Sequence, residues 1–516
     1  MSAAQLAGAS PTDDQIDGLA SGALIEAPSM SAAEAAALKL SLVPCTDSGS
    51  ATLLARALKD RWRYSHAEAL WWHCSPATNR WSKDRTKFIV QTARQILPRA
   101  WASEAEKCER LGDIEGAIQR RKMAAKCGSR KALTDAIGLA QSDPALAIEG
   151  PQVFDADPYK FALLDCVVDM RTGEAQPTLP EMMISRCGRT EWRREAKCAR
   201  FLRFLETNAG ASDPAHMFYL QMAIGIMLTG IRHAEKAWHL HGHGGDGKSV
   251  LMEILLALMG SYAVTLPAGF LIKASHGRSS AEASPDLMML IGARLGSINE
   301  VPPGGAWDPV KLKALVARDL VTARPLHGGF VTFAPITFLI SRGNHRLSVS
   351  DDSEGFWRRL EEQVFARPAN EPVNPHLAAE IIRDELPGIF QWALAGAMRW
   401  HAEGERWPTS PLVASVMKER RAEEDIVGRW LDDDCLIADA EEQATAKGRI
   451  GTDTRAARAG FVQWAEGEGH VRAWSAKALT QSLAKKGIEI TVSGTGASRR
   501  KVYTGLTLRA DVGKRP

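Results

Sequence analysis

The run GHGGDGKS, Gly242 to Ser249, holds the residues of this chain best suited to chemistry. It fits G-x-x-x-x-G-K-[ST], a loop that wraps the phosphates of a nucleoside triphosphate. Gly242, Gly244, Gly245 and Gly247, with His243 and Asp246 between them, let the backbone turn its N–H groups onto phosphate oxygens. Lys248 adds a point charge for the β- and γ-phosphates, and Ser249 offers a hydroxyl to Mg²⁺. Three later positions can complete a hydrolytic site. Glu300 closes ARLGSINE, where an acid can orient the attacking water and help hold Mg²⁺ through water. Asn344 closes ITFLISRGN, where an amide can sense the γ-phosphate. Arg358 and Arg359 precede another strand-like run, and an arginine there can reach the ATP of a neighbouring subunit.

Such groups work only if regular elements hold them. Ala237 to Leu240 is a short apolar strand leading into the loop, and SVLMEILLALMG is an apolar helix leading out, stopped by Gly260. Strand-like and helix-like segments alternate over about 231–370, which predicts an α/β ATPase core. Gly296 and Ser297 make an indifferent strand before Glu300. Helix is expected over 198–230, with Phe201, Phe204, Leu205, Tyr219, Met222 and Ile226 on the apolar spacing, and again over 376–400.

Flanking regions differ in character. Residues 1–40 are rich in Ala, Ser and Gly and read as a disordered leader, with a transient helix in SAAEAAALKL. Residues 41–145 look mainly helical. Trp62, Tyr64, Trp71, Trp72 and Trp81 crowd one stretch, either as a small aromatic core or as a stacking platform for nucleic acid. FALLDCVVDMRTGEAQP has strand-like runs with a turn at Thr172-Gly173. The stretch 423–442 carries nine acids against Arg429 alone and reads as a solvated connector. From Val471 to Pro516 there are ten Lys and Arg against two acids.

Composition narrows the classes. Of the 516 residues, 45% are hydrophobic and 24% charged, as in a soluble globular protein of about three domains. The net charge of +3 says little about partners. No basic residue precedes Lys39, so no targeting peptide is expected. The apolar stretch Met217 to Ile231 is broken by Gln221 and Thr229 and is too short for a membrane span. The eight cysteines form no CxxC pair and read as reduced thiols of a cytoplasmic protein.

The order of these motifs resembles superfamily 3 helicases, most of all the phage and plasmid primase-helicase family with its poxvirus-type relatives. The resemblance covers about 45–508 and is densest from 200 to 400. It assigns Walker A to Gly242–Ser249 and a single-acid Walker B to Glu300, after the GARL of Gly292 to Leu295. It assigns the third motif to Lys313 and Asp319, the sensor to Asn344 and the arginine finger to the WRR of Trp357 to Arg359. LPGIFQWALAG, Leu386 to Gly396, matches a signature that follows the finger. TDSGSATLLARAL and LLDCVVDMRTGE look like the family's helicase-associated N-terminal domain. Asp246 stands where an asparagine is usual. His345-Arg346 follows the sensor where a proline is common.

The implied fold is α/β: a P-loop, AAA+-like superfamily 3 helicase core with a mainly helical N-terminal domain and a C-terminal winged helix. The implied order is a helicase-associated domain at 41–197, the ATPase domain with a helical lid at 198–400, an acidic linker at 401–451 and the winged helix at 452–516. The implied activity is ATP-dependent DNA unwinding in replication of a phage, plasmid or integrated element, with Mg²⁺. The enzyme would work as a homo-oligomer, six-membered by analogy, beside a separate primase or polymerase and away from membranes. An ATP-switched origin-binding protein is the alternative. Two strand-like runs flank His327-Gly328-Gly329 and resemble the family's pore hairpin, with Lys313, Arg324 and His327 facing single-stranded DNA. In the tail, Ser475 caps a helix that ends at Gly487. The strands after it read as a wing, with Lys485, Lys486, Arg499, Arg500 and Lys501 for duplex phosphates.

Overall fold

The computed structural model describes residues 31–231, 235–273, 284–301, 304–317, 319–324, 329–349, 353–438, 451–469, 475–493 and 499–509. Most of the expected leader, 1–30, lies outside the described residues. Its last part is the helix Ala32–Ser41, capped by Ser31 and Glu34 and burying no residue. The chain divides into two compact units. One runs to Ser75 and includes Ser82–Pro151; the other takes Pro76–Trp81 and Gln152 onward.

In the first unit, Ile89, Ala93, Leu97, Trp101, Ala105 and Cys108 recur every three or four positions. The helix Phe88–Arg110 buries all of them. Asp84 starts this helix, its carboxylate accepting the N–H groups of Phe88 and Ile89 at 2.8 Å each. The helices Asp47–Leu58, Ile114–Lys126 and Arg130–Ala140 complete the helical part. The strands Trp62–Ser65 and Leu70–Cys74 pair antiparallel. Their aromatic side chains are core: Trp62, Tyr64, Trp71 and Trp72 are all buried, and Trp81 in the second unit is 1% exposed. Burial on that scale leaves no face for a base, so these rings are not a stacking platform.

The second unit is built on five parallel strands: β1 (Ala237–His241), β2 (Ala263–Leu266), β3 (Leu295–Ile298), β4 (Phe338–Gly343) and β5 (Leu360–Val364). Their order is 5-1-4-3-2. Alternate residues of a strand face opposite sides. Trp238, Leu240, Leu295, Phe338 and Ile340 join one core with the helices Pro214–Leu228, Lys248–Met259 and Leu377–Ala402. Ala237, Ile298, Leu339 and Leu360 join another with Trp307, Leu312 and Phe356. Both faces are covered, as an all-parallel sheet requires. The poor strand propensity around Gly296 has a packing cause. A Cβ there would meet Leu339 Cδ2 at 2.8 Å and Leu266 Cδ1 at 3.0 Å.

Two expected boundaries move. The break at 197/198 is absent, because Phe161, Leu163, Val168 and Cys198 share one core with Trp238 and Leu251. Phe161 packs on Tyr262 with ring centroids 4.7 Å apart and on Phe390 at 5.6 Å. The acidic stretch is not a solvated connector either. Residues 411–424 are helical, and the helix Ile426–Asp434 follows. Val427, Trp430 and Leu431, spaced i, i+3 and i+4, sit in a core with Phe461, Leu479, Leu483 and Tyr503, while Asp432 and Asp433 face solvent. Asp439, Glu441 and Glu442 lie outside the described residues. Beyond them, the helices Thr454–Gly467 and Ala476–Lys485 precede the strand Ile490–Ser493. That strand pairs antiparallel with Arg500–Thr504. Among the described residues no helix is long and apolar enough to cross a membrane.

Candidate active site

In an open parallel sheet, ligands bind where the strands end and the chain turns into helices. Residues 242–247 leave the end of β1 and run straight into the helix that starts at Lys248. This turn needs glycine at defined points. Gly245 and Gly247 have φ of +85° and +99°, and a Cβ on Gly247 would meet the Phe204 ring at 2.7 Å. Gly244 and Gly245 face open space. Asn208 fixes the loop from outside, its Nδ2 donating to Asp246 O at 3.1 Å. The Asp246 carboxylate accepts the Arg367 N–H at 3.3 Å, so the acid that replaces the usual asparagine is turned onto a neighbouring backbone.

Lys248 is 7% exposed, and its Nζ donates to Gly242 O at 2.7 Å and His243 O at 2.6 Å. Burial draws this ammonium below its ordinary pKa. Asp246 opposes that shift and the Arg342 cation adds to it. Arg342 Nη1 donates to Ser249 Oγ at 2.5 Å. Glu300 is exposed just beyond β3, with φ of +38°. Asn344 follows β4 and is also exposed.

A cleft of about 960 Å³ gathers these groups: Gly244 to Ser249, Glu300 and Asn344 line it together. Its donor set suits a polyphosphate, with backbone N–H groups at a helix start, a buried ammonium and a glycine floor that side chains would fill. The Ser249 hydroxyl and the Glu300 carboxylate are oxygen ligands of the kind Mg²⁺ prefers. No cluster of three or more His, Cys, Asp or Glu suited to a metal occurs among the described residues.

Arg358 and Arg359 do not line this cleft. Leu360 pairs with Ala237, and the Ala237 N–H donates to Arg359 O at 2.8 Å. The arginines therefore stand at the start of β1, while the loop leaves its far end, roughly 13 Å away at about 3.3 Å per residue. Arg359 is tied down, with its Nη1 donating to Gly355 O at 2.8 Å and its Nη2 3.6 Å from Glu235. Arg358 has a 58% exposed side chain and a 3.5 Å contact to the same carboxylate.

Sequence reasoning missed Arg200, Arg203, Arg342 and Arg367, which also line the cleft. Arg342 was legible in one respect: it is charged and lies near the C-terminal end of a strand bound for the sheet. The others come from distant segments.

Of the expected DNA-facing residues, His327 lies outside the described residues. The strands that flank it, Val321–Ala323 and Val331–Phe333, pair antiparallel, and the Arg324 guanidinium lies 5.7 Å from the Phe330 ring. Lys313 donates to Ser353 Oγ at 2.8 Å. Lys486 is ion-paired with Asp425. Lys485, Arg499, Arg500 and Lys501 are exposed.

Beneath the loop, β1 carries His239, fully buried, with Nδ1 3.0 Å from Ser341 Oγ. Burial pulls His239 down to about 3 and His241 to about 4, with the cations Arg346 and Arg420 acting in the same direction. The unfolded chain takes up these protons first, near about 6.5. Their contribution to stability is therefore present above that value and lost as pH falls through the window down to the folded values. The melting temperature should drop between pH 7 and pH 5, and less steeply in His239→Asn. An equal slope in the variant would exclude His239 as a source.

Residues 51–208 match the family model described as D5 N terminal like. A protein of Acanthamoeba polyphaga mimivirus named as helicase L207/L206 is 28% identical over 153 residues, which is 30% of this chain and 16% of that protein. One of African swine fever virus named as primase C962R is 28% identical over 145 residues, 28% of this chain and 14% of that protein. The chain thus spans less than one-fifth of the length of either relative. The apo C-terminal region of NrS-1 aligns over 88% of this chain and 99% of its own, at 12% identity and a TM-score of 0.47. By the D5-type match over residues 51–208 and the two partial matches, this chain is similar over about a third of its length to viral proteins named as helicase and primase.

Proposed function

We propose that the protein is an ATP-dependent DNA helicase of the superfamily 3 type, acting in replication of a phage, plasmid or integrated element. It would work as a ring, six-membered by analogy, with ATP sites between subunits. The loop N–H groups and Lys248 bind the triphosphate, and Ser249 and Glu300 hold Mg²⁺. Held there, Mg²⁺ would supply neutralisation of charge that develops on the phosphate oxygens. Glu300 orients and polarises the attacking water, and Asn344 reads the γ-phosphate. An arginine of the adjacent subunit, Arg358 by its exposure, stabilises the departing charge.

One observation carries this reading. Loop, acid and amide share one cleft, while the arginine pair stands at the other end of the same strand, suited to a second copy. Arg324 and Phe330 beside the hairpin supply a cation and a ring for a single strand. The basic residues Arg499, Arg500 and Lys501 border a strand pair that reads as a wing on duplex phosphates.

Strand displacement from a forked duplex with ATP and Mg²⁺ is the test. ATP-dependent release of the strand is expected. ATP and duplex binding without release would favour an ATP-switched origin-binding protein, and nucleotide incorporation on a single-stranded template would point to primase chemistry.

A further inference from the structure

The cleft contains a cation that the reading above does not use. Arg342 sits in β4, two residues before Asn344, and lines the phosphate end of the cleft. Its Nη1 holds Ser249 Oγ, and its Nε is buried with no hydrogen-bond partner. No carboxylate pairs with it among the described residues. An arginine held this way, close to Lys248 and without an acid, is poorly neutralised and suited to an anion.

Ser249 Oγ is also the oxygen expected to meet Mg²⁺. A guanidinium and a divalent cation repel each other strongly at hydrogen-bond range, more so in a cleft with little water. The two cannot share that oxygen, so Arg342 must leave it when the metal arrives. A bound triphosphate brings anionic oxygens into the same cleft, and the planar fork of a guanidinium fits phosphate oxygens through two parallel bonds. Lys248 is in a similar position, resting on two carbonyls of its own loop until a phosphate replaces them.

We propose that Arg342 is a second phosphate-binding arginine, supplied by the pocket's own chain. It caps Ser249 when the metal is absent and moves onto the phosphates when Mg²⁺ and ATP enter. This deepens the ATP-site reading and rests on it. It differs from Arg358 in working within the chain that carries the loop. It also couples β4 to the metal site, so the strand that leads into Asn344 registers metal arrival directly.

The test uses the full chain as wild type, Arg342→Ala and Arg342→Lys. A fluorescent ATP analogue is titrated first in EDTA and then at increasing Mg²⁺, and phosphate release is measured separately. In Arg342→Ala, the Mg²⁺ concentration for half-maximal binding should fall several-fold, because the competitor for Ser249 is gone. Its kcat should fall by about 10²-fold, the scale of losing one charge-stabilising donor. Arg342→Lys should keep the wild-type Mg²⁺ midpoint but recover little of kcat, since an ammonium competes by charge yet lacks the fork. An unchanged Mg²⁺ midpoint and kcat in Arg342→Ala would overturn the proposal. So would a uniform loss of nucleotide binding with a lowered melting temperature, which would mark a packing role. A wild-type chain that bound no nucleotide would fail the ATP reading itself, whereas wild-type binding with an indifferent Arg342→Ala would fail this proposal alone.

Discussion

Lys248→Ala is expected to lower DNA-stimulated ATP turnover by at least about 10²-fold, the cost typical of deleting one preorganised charge from a transition state. The side chain is 7% exposed and aimed into the cleft by the carbonyls of Gly242 and His243. Burial already weakens its hold on the proton, so a triphosphate that restores a negative partner gains a strong interaction. Alanine leaves the helix start intact, because the backbone of Lys248 opens that helix and its ammonium does not cap it. Phosphate release at saturating ATP, with a melting curve as control for folding, gives the answer. Wild-type turnover in a folded variant would remove this loop from the chemistry.

Arg358→Ala should be as damaging by a different route. Turnover should fall by about 10³-fold or more, the range for loss of an arginine finger, while ATP binding stays within about two-fold of wild type. The mixed sample is more telling than the single variant. Lys248→Ala supplies an intact arginine and Arg358→Ala an intact loop, so a seam between them is whole on one side. Equal, random mixing of the two should restore up to about one-quarter of the wild-type rate, if loop and arginine meet head to tail. Arg359→Ala serves as contrast. Its guanidinium holds the Gly355 carbonyl, so this variant should also melt at a lower temperature. Failure of the mixture to recover, or full turnover by a dilute monomer, would end the shared-seam reading.

How much of this was legible in the sequence depended on the range of the signal. The loop declared itself because strand, glycines and helix are contiguous from Ala237 to Gly260. Ser297 and Gly296 made a poor strand on propensity, yet β3 is buried on both sides because Leu339 and Leu266 crowd out anything larger than glycine. That constraint comes from strands distant in the chain and leaves no local mark. The same limit hid Arg200, Arg203 and Arg367, which reach the cleft from other segments. The break drawn at 198 followed a change in local pattern, but pattern does not say which core a strand enters, and Phe161 enters that of Tyr262 and Phe390. In 423–442 the density of acids masked a short apolar spacing at Val427, Trp430 and Leu431, which is enough for one face of a two-turn helix.

The separation of loop and arginine pair along β1 has a consequence for counting. Copies joined nose to tail in an open row contain one finished pocket fewer than they have members, because the last loop lacks a neighbour. Only closure of the row brings the two numbers level. Specific activity would then rise with protein concentration and stop rising once the rows closed. A small excess of a variant that can dock on one side only would act as a terminator, silencing more pockets than its own share of the chains.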